Sequence, residues 1–179
     1  MVWSLAHDLE IPGEGPAVRL KVDEFQSVAS ATGASGGSLE KGQHVVAVAA
    51  LIVRAGRVLS LRRAPTNLAG PGLWETVSGR VEHGEEPLAA VAREIEEESG
   101  LVVELETRPF RAYAAQRRGQ PMIVILFRAA YVSGQVRISE EHDEHAWLTA
   151  EEFAQRSSLL PLVDAVKAAL RREEVTSPG

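Results

Sequence analysis

Apolar positions along this chain change period several times, and each change marks an element. After His44 comes a nine-residue apolar run, Val45 to Val53, which reads as a strand buried on both faces. Ala55-Gly56 is a turn and Val58–Arg62 a second strand, so the two form a hairpin. Thr66 to Gly72 (TNLAGPG) is a loop by composition, Trp74–Val77 a short strand, and Ser78 to Gly84 another loop. Pro87 at a helix N1 position, with Glu86 as N-cap, opens a helix that stops at Gly100, where glycine suits the left-handed capping position. Strands are expected at Val102–Leu105, Phe110–Ala115 and Met122–Val132, the last two joined through Gly119-Gln120-Pro121. A short strand at Ala146–Leu148, a short helix at Ala150–Gln155 and an amphipathic helix at Leu160–Arg172 complete the pattern. Leu162, Val163, Val166 and Leu170 form the apolar stripe of that last helix. Strands, a helix, more strands and a closing helix predict a mixed α/β sandwich of the α+β kind rather than a doubly wound sheet.

The first 43 residues follow a different pattern. Val18, Leu20 and Val22 alternate with Arg19, Lys21 and Asp23, which fits either one half-buried strand or a disordered leader. Ser27 to Gly42 (SVASATGASGGSLEKG) reads as a flexible linker. A strand over 18–22 would have to pair with the main sheet or with a partner subunit, which leaves a homodimer open. The expected organisation is an N-terminal extension over 1–43, a main folded domain over 44–173 and a tail over 174–179.

Composition narrows the chemistry. With 179 residues the chain has room for one domain with a real hydrophobic core. The net charge of −6 gives no electrostatic reason to bind a nucleic acid polymer or an anionic membrane. The absence of cysteine rules out disulfides, zinc–thiolate sites and thiol nucleophiles. Met1 to Pro12 lacks a basic n-region, and no apolar run approaches the length of a membrane helix, so the expected location is cytoplasmic.

The Pro87–Gly100 helix carries Glu94, Glu96, Glu97 and Glu98. At about 100° per residue, Glu97 lies roughly −60° and Glu98 roughly +40° from Glu94, so three carboxylates share one face. Leu88, Val91 and Ile95 form the buried stripe beside them. Like charges at these spacings cost about 0.2–0.5 kcal/mol per pair, a penalty that a divalent cation would reverse. Taken alone, the cluster also fits a solvated acidic face.

The flanking residues decide between these readings. From Gly79 the chain reads GRVEHGEEPLAAVAREIEEESGL, with Glu85, Arg93-Glu94, Ile95, Glu97-Glu98 and Gly100-Leu101 at fixed intervals. This segment resembles the Nudix box, G-x5-E-x7-R-E-U-x-E-E-x-G-U with U aliphatic, at every fixed position. The chance of that arising from average residue frequencies is on the order of one in ten million. The order of elements from about His44 to Arg172 also resembles the Nudix fold, an α/β/α sandwich with a mixed central sheet and a loop–helix–loop box. One departure is Val77-Ser78, where many family members have Pro-Gly before the box glycine.

The resemblance implies hydrolysis of a pyrophosphate bond in a nucleoside diphosphate linked to another group, a small-molecule nucleotide substrate, with Mg²⁺ as cofactor and Mn²⁺ as a substitute. It implies that Glu94, Glu97 and Glu98 hold the divalent ions, together with the backbone carbonyl of Ser78 and an acid in the late loop Ser139 to His145. In that loop Glu141 is the preferred ligand and Glu144 the second. The chemistry agrees: phosphoryl charge must be neutralised, water must become nucleophilic near neutral pH, and a carboxylate must take its proton. Glu94, Glu98 and Glu141 are the candidates for that catalytic base. Gly79, Glu85 and Arg93 are implied supports of the box: the glycine for a close backbone approach, the ion pair to orient the ligands.

No signature of a particular substrate is present. Gln116 stands where ADP-ribose hydrolases of the family tend to have a proline, and Arg117, Arg118 and Gly119 stand where dinucleoside polyphosphate hydrolases tend to have a tyrosine. Phe110, Tyr113, Phe127, Trp74 and Trp147 read as packing residues, and His83, His142 and His145 as surface residues. The intact acid set argues against a binding-only sensor, and zero cysteine against isopentenyl diphosphate isomerase chemistry.

Overall fold

The computed structural model describes residues 19–21, 44–67, 70–117 and 119–176. Its central strand is β2 (Val45–Arg54), which runs parallel to β8 (Gln120–Ser133) from the Val45–Met122 pair to the Val53–Ala130 pair. On its other edge β2 pairs antiparallel with two strands in turn, β5 (Val77–Arg80) at Ala47–Ala50 and β3 (Arg57–Arg63) at Val53 and Arg54. In the same way β8 carries β7 (Arg111–Arg117) along its first half and β6 (Val102–Glu106) along its second. Both β4 (Trp74–Glu75) and β9 (His142–Leu148) pair with β3. At the far edge β1 (Arg19–Lys21) lies parallel to β6. The result is one mixed sheet of nine strands among the described residues.

Helices cover both faces because the apolar run of β2 has no polar side. Ala47, Ala49, Leu51 and Val53 pack with Phe153 of α2 (Ala150–Arg156) and with Leu162 and Val166 of α3 (Leu160–Thr176). Val48, Ala50 and Ile52 pack with Val91 and Ile95 of α1 (Pro87–Ser99). This α/β/α sandwich with a mixed central sheet is the fold class expected from the sequence. Each fully buried Leu, Ile or Val contributes about 1.5–3 kcal/mol.

The helix signals act locally as expected. Pro87 occupies the first turn of α1, and Glu86 caps it by position without a side-chain cap bond. Gly100 adopts φ 62°, and its N–H reaches the carbonyls of Glu96 and Ile95. At α2, Thr149 and Glu152 form a reciprocal capping box that the sequence reading passed over.

Several boundaries differ from expectation, among them that Trp74–Val77 divides into β4 and β5. Ser78 to Arg80, expected in a loop, belongs to β5, because pairing with Ala47–Ala49 satisfies their backbone groups. β9 starts at His142 rather than Ala146, drawn in by its ladder with β3. α3 runs to Thr176, past Arg172. The strand expected over 18–22 spans Arg19–Lys21, while the linker over 27–42 lies outside the described residues. Among the described residues, no helix is long and apolar enough to cross a membrane.

Candidate active site

The amphipathic phase of α1 sets the depth of each acid. Glu94 and Glu98 lie next to the stripe of Val91 and Ile95 and are buried, at 9% and 5% exposure. Glu97, about 60° to the other side, keeps a side chain that is 56% exposed and leans on Arg93 at 3.2 Å. β5 presses against this helix. The Ser78 N–H donates to Glu98 Oε2 at 2.8 Å. At Gly79 a Cβ would overlap the Glu94 carboxylate, so only glycine lets that acid lie on the strand.

Arg93 ties the helix to the loop before it. Its Nε donates to Glu85 Oε1 at 2.9 Å and its Nη2 to Glu85 Oε2 at 3.1 Å, a bidentate pair. The same guanidinium reaches Glu94 Oε1 at 2.8 Å and the Arg80 carbonyl at 3.1 Å. Glu85 Oε2 also accepts from the Glu82 N–H at 2.9 Å, which ties its carboxylate to the loop. The Arg93 hydrogen bond holds the Glu85 carboxyl below the usual carboxylate range.

Glu94 and Glu98, with Ser78 and Gly79, line a cavity of about 260 Å³ that Glu141 borders from the loop before β9. Glu141 is the most exposed of the three acids, and Asn67 Nδ2 donates to its Oε2 at 3.2 Å. Burial pushes the Glu98 carboxyl up to about 9, with the charges of Glu75, Glu94 and Glu141 adding to the rise and the Ser78 N–H opposing it. Burial also raises Glu94, against the pull of Arg93. Without a counter-charge, these acids resist being ionised together.

Glu94, Glu98, Glu141, Ser78 and Gly79 thus line one cavity, and Arg93, paired with Glu85, touches it through Glu94. Glu97 does not line it, and the second choice in the late loop, Glu144, is bound to Arg62 at 2.8 Å instead. His142 is the clear correction to the sequence reading. Expected at the surface, its side chain is wholly buried, with Nε2 hydrogen-bonded to Glu75 Oε1 at 3.1 Å and Nδ1 without a hydrogen-bond partner 3.9 Å from Glu98 Oε1. Trp74 and Phe127 are buried and Phe110 and Tyr113 partly so, in keeping with packing roles. His83 and His145 are exposed.

Four residues beneath and around the cavity were given no role from the sequence. Arg63 and Glu75 form a buried pair, with Arg63 Nε 2.6 Å from Glu75 Oε1, and Arg80 and Arg117 line the cavity. The available signal was a charge inside a strand that otherwise reads as buried, since such residues are almost always paired. Successive residues of β3 point to opposite faces, so Arg63 turns toward Glu75 while Arg62 faces Asp143 at 2.8 Å, the residue that the β3–β9 ladder skips.

Among the described residues, no three His, Asp or Glu side chains stand close enough together as they are to hold a metal ion. The donor set nevertheless suits a hard divalent cation. Two buried carboxylates and a third at the rim are all oxygen donors, and Gly79 is shaped around one of them.

A family model, described as the NUDIX domain, matches residues 43–173. The chain belongs to the Nudix family. Its relatives include a MutT-like protein of Streptomyces ambofaciens, 35% identical over 130 residues that cover 70% of this chain and 79% of that one. The nucleoside triphosphatase NudI of Escherichia coli is 32% identical over 116 residues, 59% of this chain and 82% of its own. Among solved structures, a MutT protein from Methanosarcina mazei superposes with a TM-score of 0.64 at 29% identity, over 76% of this chain and 99% of that one. The protein is therefore a Nudix hydrolase, of a family that acts on nucleoside diphosphate derivatives and generally uses divalent metal ions. In this member the Nudix box is β5, the loop holding Glu85, and α1 with Gly100 and Leu101.

Proposed function

We propose that this Nudix hydrolase cuts a pyrophosphate bond in a nucleoside diphosphate derivative, in the cytoplasm, with Mg²⁺ as its ion and Mn²⁺ as a substitute. The products are a nucleoside monophosphate and either a phosphorylated second group or pyrophosphate. The observation that carries this reading is the gathering of Glu94, Glu98 and Glu141 around one cavity, two of them buried beside the Ser78 and Gly79 backbone. Glu94 and Glu98, with the Ser78 carbonyl and Glu141, would hold the cation, and Glu97 would join them only if its exposed side chain turned inward. A divalent ion there would neutralise phosphoryl charge and lower the pKa of water.

The chain's own residues do the rest. Arg93 holds Glu94 and, through Glu85, locks the helix to the box loop, so the acids keep one orientation. The Ser78 N–H fixes one oxygen of Glu98 and leaves the other directed toward His142. Glu94, Glu98 and Glu141 are the groups placed to take the proton of the attacking water. A binding-only role would leave the burial of two carboxylates without a purpose.

The test is a hydrolysis screen in Mg²⁺. It would offer nucleoside triphosphates, oxidised deoxynucleotides, ADP-ribose, NADH, dinucleoside polyphosphates, nucleotide sugars and coenzyme A, with products identified by mass. Cleavage of one class at the anhydride, stopped by EDTA, is the expected result. Tight binding of one compound with no turnover of any would replace this reading with a sensor.

A further inference from the structure

Of the three acids at the cavity, two owe their placement to α1 and to burial, and the third has neither. Glu141 lies just before β9, with a side chain that is 62% exposed. An exposed glutamate has many rotamers to lose, so an acid that must meet Glu94 and Glu98 needs something else to hold it. The segment after β3 supplies that hold. Ala64, Pro65, Thr66 and Asn67 form a turn, closed by the Asn67 N–H on the Ala64 carbonyl at 2.9 Å. Proline sits at its second position, where a fixed φ suits the turn.

This turn grips Glu141 at two points. From its first residue, the Ala64 N–H donates to the Glu141 carbonyl at 2.9 Å, and from its last, Asn67 Nδ2 donates to Glu141 Oε2 at 3.2 Å. A carboxylate can only accept, which sets the nitrogen of the Asn67 amide toward Glu141. One four-residue turn therefore holds both the backbone and the side chain of one acid, across 74 residues of sequence. Arg63, the residue before the turn, adds its charge on the same side, with Nη1 3.8 Å from Oε2. Both side-chain partners act on Oε2, and among the described residues Oε1 takes no hydrogen bond.

We propose that Asn67 is a positioning residue for Glu141, its amide holding Oε2 at the cavity rim so that Oε1 is left to the cation. That role rests on the proposed binding of a divalent cation by Glu94, Glu98 and Glu141. Asn67 acts through Glu141 rather than on the ion, as Arg93 acts through Glu94 on the side of the box. Alanine at 67 removes the hold on the carboxylate and leaves the Ala64 hold on the backbone, so the acid stays near the cavity and loses its direction.

The experiment is a titration of the full chain with Mn²⁺ alone, read by the paramagnetic resonance of the free ion, with no nucleotide present. Loss of an outer support of a metal ligand commonly costs 10–100-fold in affinity, and the exposure of Glu141 places Asn67 at the low end. Asn67→Ala should therefore weaken Mn²⁺ binding by about 10-fold, and Glu141→Ala by at least as much. Combining the two should cost no more than Glu141→Ala alone, because the side chain that Asn67 positions is then gone. Asn67→Gln keeps an amide donor and should lose less than Asn67→Ala, whereas a disturbed turn would harm both alike. Thr66→Ala, at an exposed position of the same turn, should bind as the wild type does. Wild-type affinity in Asn67→Ala, equal losses in the Ala and Gln variants, or the same further loss with Glu141 already replaced would overturn the positioning role. Wild-type affinity in Glu141→Ala would remove Glu141 as a ligand and the role of Asn67 with it. Unchanged affinity in Glu94→Gln would instead remove the cation reading itself, so the two failures are told apart.

Discussion

Replacing Glu98 by glutamine should stabilise the metal-free protein while disabling it as an enzyme. The carboxyl is buried beside Glu75, Glu94 and Glu141, and this environment pushes it up to about 9. In the unfolded chain a glutamate titrates near about 4.3. A folded pKa above the unfolded one means that stability is full below about 4.3 and is lost as pH rises toward about 9. At about pH 7.5 the folded protein holds a proton that the unfolded chain has released. That difference of about three pH units is worth up to about 4 kcal/mol. Glutamine has nearly the same shape, carries no charge at any pH, and its amide oxygen can accept the Ser78 N–H that Glu98 accepts now. Even a quarter of that figure, about 1 kcal/mol, moves the melting temperature of a chain this size by about 2–4 °C. The assay is thermal melting of both proteins in EDTA from about pH 5 to about pH 8.5. The variant should pull ahead as pH rises, and added Mg²⁺ should raise the wild type alone. Melting curves whose difference does not change with pH, or a wild type more stable at about pH 8, would refute the reasoning.

Other expectations follow from single contacts. Gly79→Ala should lower stability by about 1–3 kcal/mol and reduce turnover, because its Cβ would displace the Glu94 carboxylate, checked by melting and by kcat. Thr149→Ala removes the capping box of α2, so it should cost about 1 kcal/mol in a denaturant melt with kcat unchanged. If residues 1–43 assemble a homodimer, their deletion should shift the elution of the protein in size-exclusion chromatography, and an unchanged elution state would remove that idea.

How much of this was legible in the sequence depended on whether local pattern or distant pairing sets each position. β2 was legible because nine apolar residues in a row leave no polar face, and α1 because proline, glycine and the helical period agree. The helical wheel even held the answer for Glu97, which sits on the side of Glu94 away from Val91 and Ile95; treating all three acids as one face overlooked that the stripe buries Glu98 and not Glu97. Ser78 to Arg80 lacks any strand pattern and becomes a strand only through its ladder with β2. His142 sits in a run of acids that reads as solvent-facing, and it is pairing with β3 that carries it onto Glu75. Arg62 and Arg63 cannot be told apart by composition, and the alternation of β3 sends one to Asp143 and the other to Glu75.

The measurement that bears most directly on the central claim compares the wild type with Glu94→Gln in Mg²⁺, on whichever substrate the screen identifies. Loss of an outer support of a metal ligand commonly costs 10–100-fold, so loss of a ligand should cost at least about 100-fold in kcat/KM. That drop is the expected result, with the wild type falling to the same residual rate in EDTA. Turnover by Glu94→Gln within a few-fold of the wild type would contradict it, and would place the chemistry outside the acidic cavity.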